Sequence, residues 1–447
     1  MRLQAKDRRV QKFLDRYLRG PAWQWQDIED PRGRRGRRWE LKELLSAVFA
    51  GLLSDCATLR EVEQLTDEMG CAGRQYVRAR VPDSTLWDLL CGQRRRRRRK
   101  AMPGDFSVHE PLELIKRPLE AEGFRRQLRR QVRALWRSKA LVPQGLPCGV
   151  VAIDGKGLGA LEHDAEGQAQ KGHRADGSPY WLARVLRAAL ISAASTPVLD
   201  QLPIGSKTNE MGSFAAFFAD LVAAYDALFE VITVDAGMTS KANADVVAQA
   251  HKGYVMALKD NQPELVAEAK RLLRGRQRGA PEAESCERYR GKLVRRCLYR
   301  TDAIAGYHGW THLRQAWLVE QTTTTDDGHS EVERRYFVTN LHRGRLTPTQ
   351  VLTLIRAHWR IEAAFWALDV PWREDQLPWC TVGPATEVLG LMRLMAYNLV
   401  QLARCRSLRP RRDDGSLGDA PPWRAVRRWF AQAWRLDLEP AASVSLA

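Results

Sequence analysis

The sequence predicts a mixed α/β fold whose sheet carries a β-rich insertion and follows an all-helical N-terminal domain. Three textures along the chain support it. Residues 1 to about 100 alternate helical periodicity with basic loops. From Gly149 short β-branched runs alternate with helical segments, and from about 283 to 340 the helices drop out, leaving strand-like pieces between polar turns. Adjacent strands followed by alternating elements make a mixed sheet.

In chain order, a basic loop from Asp30 to Arg38 leads into an amphipathic run, Trp39 to Leu53. Asp83 or Ser84 caps a helix carrying Leu86, Leu89 and Leu90. Strands are expected at Val150 to Ile153, at Ala183 to Ser192 and in a third run ending near Leu202. A helix over Met211 to Leu228, a strand over Val231 to Val234, a helix over Lys241 to Ala250, a strand over Tyr254 to Leu258 and a helix over Glu264 to Leu273 follow. Within the insertion, strands are expected at Leu293 to Arg300, Leu313 to Gln321 and Arg335 to Thr339. Thr347 and Pro348 then open one long helix through Ile355, Trp359 and Glu362 to about Leu368. A further helix spans about 384 to 405, and the Arg-, Pro- and Trp-rich remainder reads as peripheral.

At 447 residues the chain exceeds what one core organises, so two or three domains are expected. Lys and Arg number 71 against 53 Asp and Glu, a net charge of +18 that is mostly arginine. That excess points to a polyanionic partner or to arginine enrichment of a high-GC genome. Seven consecutive cations, Arg94, Arg95, Arg96, Arg97, Arg98, Arg99 and Lys100, repel one another until an anionic surface neutralises them, so they read as a DNA contact or as a solvated linker. Eight scattered cysteines without a C-x-x-C pair predict a reduced protein free of structural zinc. The charged start MRLQAKDRRVQKFLDRY lacks the apolar segment of a signal peptide. The longest apolar stretches noted, Leu44 to Leu53 and Leu389 to Val400, are about half of the ~20 residues a bilayer crossing needs, so no membrane partner is expected.

The chemistry concentrates in two similar sentences of sequence. Val150-Val-Ala-Ile-Asp-Gly-Lys156 and Val231-Ile-Thr-Val-Asp-Ala-Gly237 each run from a β-branched stretch into an aspartate, Asp154 and Asp235. If the two strands are neighbours, both carboxylates meet at the carboxyl edge of a sheet, where α/β folds bind ligands. Converging carboxylates repel unless a proton or a cation intervenes, and oxygen-only ligation suits Mg²⁺ or Mn²⁺. Taken singly, each aspartate reads equally as a turn or helix cap. Glu362 stands seven residues after Ile355 and four after His358, so helical phase turns it inward or to the edge of the apolar face, toward a metal or an arginine. Arg356 and Arg360 form a second face, suited to phosphates or to solvent.

These residues sit in an ordered series: Ile-Asp-Gly-Lys at 153–156, Lys-Thr-Asn-Glu at 207–210, Thr-Val-Asp-Ala at 233–236, Ala-Leu-Lys-Asp-Asn-Gln at 257–262, Tyr-Phe-Val-Thr-Asn-Leu at 336–341, and His-Trp-Arg-Ile-Glu through Leu-Asp-Val-Pro-Trp-Arg-Glu-Asp at 358–375. The series resembles the DDE-type transposases of bacterial insertion sequences, in particular the H-repeat-associated branch, over most of the chain. The resemblance implies a ribonuclease H-like catalytic core in which Asp154, Asp235 and Glu362 hold two Mg²⁺ ions, with Mn²⁺ substituting, for DNA cleavage and strand transfer. It implies double-stranded DNA as partner, both element ends and target, with self-association on that DNA, no small-molecule substrate, and a cytoplasmic, nucleoid-associated location.

On this reading residues 1–105 form a helical DNA-binding domain, 106–148 a helical linker, 149–282 the first part of the core, 283–342 the insertion, 343–406 the final core helices and 407–447 a C-terminal tail. The chain departs from the family after Glu362, where Ala363, Ala364, Phe365 and Trp366 replace the usual Asn and downstream His-Trp. Related enzymes also carry Tyr, Arg and Lys where this chain has Ile355, His358 and Asp369, so Arg356, His358 or Lys259 is expected to supply phosphate contacts instead. Trp310, in the insertion, reads as a base-stacking side chain or as core. The competing functional readings are an inactive or domesticated DNA-binding module and a ribonuclease H-like nuclease.

Overall fold

The computed structural model describes residues 5–18, 25, 28–32, 38–91, 94–95, 113–114, 119–161, 169–376, 379–380 and 383–436. Five helices come first: α1 (Ala5–Leu18), α2 (Leu41–Leu53), α3 (Leu59–Asp67), α4 (Cys71–Arg74) and α5 (Asp83–Cys91). Arg94 and Arg95 form strand β1 (Arg94–Arg95), antiparallel to β2 (Glu113–Leu114). The rest of the cationic run, Arg96 to Lys100, lies outside the described residues. After α6 (Ala121–Arg137) come β3 (Val150–Leu161), β4 (Ala169–His173), β5 (Pro179–Leu190), β6 (Val198–Pro203), α7 (Glu210–Tyr225), β7 (Val231–Val234), α8 (Lys241–Gln249), β8 (Gly253–Leu258) and α9 (Pro263–Arg274). The insertion supplies β9 (Ala283–Tyr289), β10 (Lys292–Thr301), β11 (Gln315–Thr324) and β12 (Ser330–Thr339). Helices α10 (Pro348–His358), α11 (Arg360–Asp369), α12 (Gly383–Leu402) and α13 (Trp423–Trp434) close the chain.

The chain forms two compact units. One comprises 1–134, 157–183 and 367–447, the other 135–156 and 184–366. In the first, α2 is apolar almost all round and buries Leu44, Leu45, Val48, Phe49, Leu52 and Leu53, as a central helix must. The stretch read as a peripheral tail is packed over its described residues, which end at 436. Val426, Phe430 and Ala433 on α13 recur at helical spacing and are buried, and Phe430 stacks on Phe13 of α1 at 5.7 Å. Its Arg427 is buried against Asp55 (2.6 Å) and the Leu52 carbonyl (3.1 Å). The arginine-rich composition of the segment hid this periodicity.

In the second unit the sheet runs β6-β5-β3-β7-β8-β12-β11-β10-β9. β7 is parallel to both β3 and β8, whereas β12 to β9 form an antiparallel meander attached through β12 to β8. This is the mixed sheet expected, with the insertion extending the core sheet rather than standing apart from it. Strand β9 went unforeseen because polar and charged residues dominate it and both of its faces keep solvent contact. α7 and the turn after it, 210–228, are long and apolar enough to cross a membrane by length and composition, a stretch the reading of the sequence passed over. Phe214, Phe217, Phe218 and Leu221 are buried there, so one face of the helix packs against the protein.

Two expectations about the site elements change. β3 does not end at Asp154: its pairing with β7 stops at Ile153, while the strand continues to Leu161. The single helix expected after Pro348 is two. Thr347 caps α10 in a reciprocal box with Gln350, but at Trp359 ψ opens to −5° and α11 restarts at Arg360. The buried stripe of Leu354 and Ala357 nonetheless continues through Ile361, Ala364 and Leu368, and Glu362 lies exposed beside it.

Candidate active site

The register Ile153↔Val234 sets the next residues of two neighbouring parallel strands, Asp154 and Asp235, side by side. Strands in a sheet lie about 4.8 Å apart, so the two carboxyl groups share one small volume. Each is tied to the backbone beside it. Asp154 accepts from the Gly155 N–H (2.8 Å), and Asp235 caps a short turn by accepting from the Gly237 N–H. The capping reading of Asp235 is thus realised together with its place at the sheet edge.

The loop after Asp235 is clasped from the next strand. Asn261 donates to the carbonyls of Ala236 (2.7 Å) and Thr239 (3.1 Å), Gln262 to that of Thr239 (3.2 Å), and the Thr239 hydroxyl to Ala257 (2.7 Å). This gives the Lys-Asp-Asn-Gln stretch a physical task, because the side chains that follow β8 hold the carboxylate loop that follows β7. Lys259, one residue beyond β8, is exposed at the same edge.

Burial pushes the Asp154 carboxyl up to about 7; its hydrogen bond from Gly155 opposes the rise, and the charges of Asp235, Glu210 and Glu362 add to it. Asp154 therefore sits in a field of other carboxylates. Glu210 is the member the reading of the sequence missed, although it ends the Lys-Thr-Asn-Glu stretch. Asn209 caps α7 by accepting from Gly212 (2.9 Å), which makes Glu210 the first helical residue, and Arg184 on β5 holds it at 2.8 Å. No signal along the sequence ties Glu210 to Asp154, since only the fold brings α7 over β3.

The other expected site residues divide. His358 has Nδ1 3.2 Å from the Thr233 hydroxyl, and burial lowers it to about 4, so the ring is neutral at physiological pH and offers no cation. Arg356 pairs with Glu287 (2.6 Å), and Arg360 donates to the carbonyls of Ile191 (2.6 Å) and Ala194 (2.8 Å), which fastens α11 to the end of β5. These contacts engage the two arginines that were expected to offer a face to phosphates or to solvent. Trp310 is 5 % exposed and belongs to the core, the alternative open for it from the start.

The donor set is all oxygen and negatively charged, the chemistry a hard divalent cation requires. Gly155 makes room for the Glu210 carboxylate, because a Cβ there would lie 2.1 Å from Glu210 Oε1. Among the described residues, no group of three His, Cys, Asp or Glu side chains stands close enough to hold a metal ion as the side chains are arranged. The residues fit such an ion in the chemistry of their donors.

The sequence profile of the transposase DDE domain matches residues 148–399, more than half of the chain. The chain belongs to that transposase family. Protein YbfL of Escherichia coli (strain K12) is 25 % identical over 267 residues, covering 56 % of this chain and 64 % of the relative, so the match spans less than two thirds of that protein. Among solved structures, the piggyBac transposase synaptic complex with hairpin DNA aligns at a TM-score of 0.43 and 11 % identity, over 95 % of this chain and 80 % of the other. Asp154, Asp235 and Glu362 all lie inside the family-matched span, as does Glu210.

Proposed function

We propose that this member of the transposase family binds the ends of an insertion sequence and catalyses metal-dependent DNA cleavage and strand transfer. The observation that carries the reading is the pairing of β3 with β7, which brings Asp154 and Asp235 together at one sheet edge. Two Mg²⁺ ions bound there, with Mn²⁺ substituting, would supply activation of the attacking water or DNA 3′-hydroxyl and stabilisation of the leaving oxygen in an in-line phosphoryl transfer. Asp154 and Asp235 are the rigid ligands, one within a continuous strand and one in a clasped turn. Glu362, exposed on α11 and near enough for its charge to act on Asp154, is the third ligand.

The scissile phosphate needs cations that are not already spent. Lys259, exposed at the carboxylate edge, is assigned a contact to that phosphate and the run Arg94 to Lys100 is assigned contacts to the DNA backbone, while Arg356, Arg360 and His358 would have to exchange their present partners or gain a proton to join them. Double-stranded DNA is the partner, both element ends and target. Self-association on DNA follows from the need to join two ends, in a cytoplasmic, nucleoid-associated protein.

Nicking of a supercoiled plasmid carrying the native element ends tests this directly. Mg²⁺ or Mn²⁺ should support cutting at the ends by the unaltered protein, and Asp154→Asn, Asp235→Asn and Glu362→Gln should each abolish it while DNA binding persists. Binding without cutting by the unaltered protein would replace the enzyme with a DNA-binding module. Cutting by the substituted proteins would remove these carboxylates from the chemistry.

A further inference from the structure

One quoted stretch, Lys-Thr-Asn-Glu at 207–210, has no task in the mechanism above, yet its last residue lies in the middle of the site. A Cβ built on Gly155 would meet Glu210 Oε1 at 2.1 Å, Cδ at 2.2 Å and Cγ at 2.8 Å. Gly155 is thus the residue against which the Glu210 side chain rests, immediately after Asp154. A Cβ built on Gly237 would lie 3.1 Å from Asp235 Oδ1 and 3.9 Å from Glu210 Oε2. The two oxygens of Glu210 therefore reach from the backbone beside Asp154 toward the turn that Asp235 caps.

Such a position is unfavourable for a carboxylate unless something positive is meant to be there. Glu210 adds a negative charge to the field that already acts on Asp154. Its contact with Arg184 at 2.8 Å offsets part of that cost, but the two side chains are only partly buried, so solvent weakens the pair. A purely structural tie between α7 and β5 could be made away from the aspartates. The Asn209 cap places Glu210 in the first turn of α7.

We propose that Glu210 is a fourth carboxylate of the site, giving an oxygen to a divalent cation bound between Asp154 and Asp235, with Arg184 as the counter-ion that positions it in the metal-free protein. The inference rests on the metal-dependent reading above and adds a ligand to it. It also explains Gly155: any larger residue would push the Glu210 carboxylate out of reach.

Mn²⁺ binding to the full-length protein, followed by the loss of the free-ion electron paramagnetic resonance signal, reads this without turnover. Glu210→Gln keeps the shape and the contact with Arg184 but removes the charge; it should weaken Mn²⁺ binding at least about 10-fold. Glu210→Asp, which keeps the charge on a shorter stem, should recover part of that loss. Asp154→Asn serves as the reference and should also weaken binding. Unchanged affinity in Glu210→Gln beside a loss in Asp154→Asn would overturn the role of Glu210 and leave the aspartate site standing. Loss in Glu210→Gln with none in Asp154→Asn, or no stoichiometric Mn²⁺ binding by the unaltered protein, would overturn the shared site and the reading beneath it.

Discussion

Along the meander β9 to β12, carboxylates meet arginines in pairs: Glu284 with Arg295 (2.6 Å), Glu282 with Arg300 (2.8 Å) and Arg343 (2.6 Å), Glu287 with Arg296 (2.8 Å), Glu320 with Arg334 (2.9 Å). The Arg295 guanidinium holds Glu284 below the usual carboxylate range. Where β7 ends beside β3, in the same sheet, burial foremost pushes Asp154 up to about 7, and the charges of Asp235, Glu210 and Glu362 add to the rise. The meander balances its charge internally and is finished as folded. At the carboxylate edge Arg184 pairs with Glu210 (2.8 Å), yet Asp154 is still raised, at a cost to the fold, as in a site suited to a cation.

That contrast breaks if the meander does not depend on its pairs, and Arg300 is the place to look. It is 5 % exposed, chelates Glu282 through Nε and Nη2, and reaches the carbonyls of Arg343 and Leu346 at 3.4 Å. Arg300→Ala should cost roughly 3 kcal/mol, the lower end for breaking a buried pair, because Arg343 still neutralises Glu282. A urea melt showing no change would mean that matched charge there is ornament rather than support.

His358 sharpens the contrast through pH. In the fold it takes up a proton only near pH 4, whereas in the unfolded chain it does so near 6.5. Between these values the unfolded chain binds a proton that the folded one refuses. Stability from this group is therefore complete above pH 6.5 and drains away as pH falls toward 4, by up to about 3 kcal/mol. In His358→Gln the acid limb of the stability profile should flatten over that window, while arginines of the meander keep their charge throughout it. An acid limb identical in both proteins would locate the loss elsewhere.

How much of this was legible in the sequence follows the range of the interactions. Runs such as Val231 to Val234 and the cap at Thr347 are local, and they appear where expected. Asp154 and Asp235 were visible as repeated grammar, but their adjacency depends on a parallel pairing across 81 residues, which no local pattern specifies. Helical phase left Glu362 between an inward and an edge position, and it lies exposed beside the buried stripe, a distinction that depends on what packs against the helix. Glu210 was invisible as a neighbour of Gly155, since that approach is made by two elements the sequence separates. The fates of Arg356 and Arg360 were equally tertiary: each found its partner on a distant strand or turn.

The smallest expected effect has the opposite sign and decides the comparison. Asp154→Asn keeps an acceptor for the Gly155 N–H while removing a charge that burial and three carboxylates disfavour. In metal-free protein near pH 8 it should raise stability by about 1–2 kcal/mol, below the full value of the shift because the side chain is only half-buried. Added Mn²⁺ should then stabilise the unaltered protein and leave the variant behind, since an ion that binds only the folded state raises stability by mass action. If Asp154→Asn instead melts lower, as Arg300→Ala should, then Asp154 is a fastening like those of the meander, and the unbalanced edge is not a site kept open for a cation.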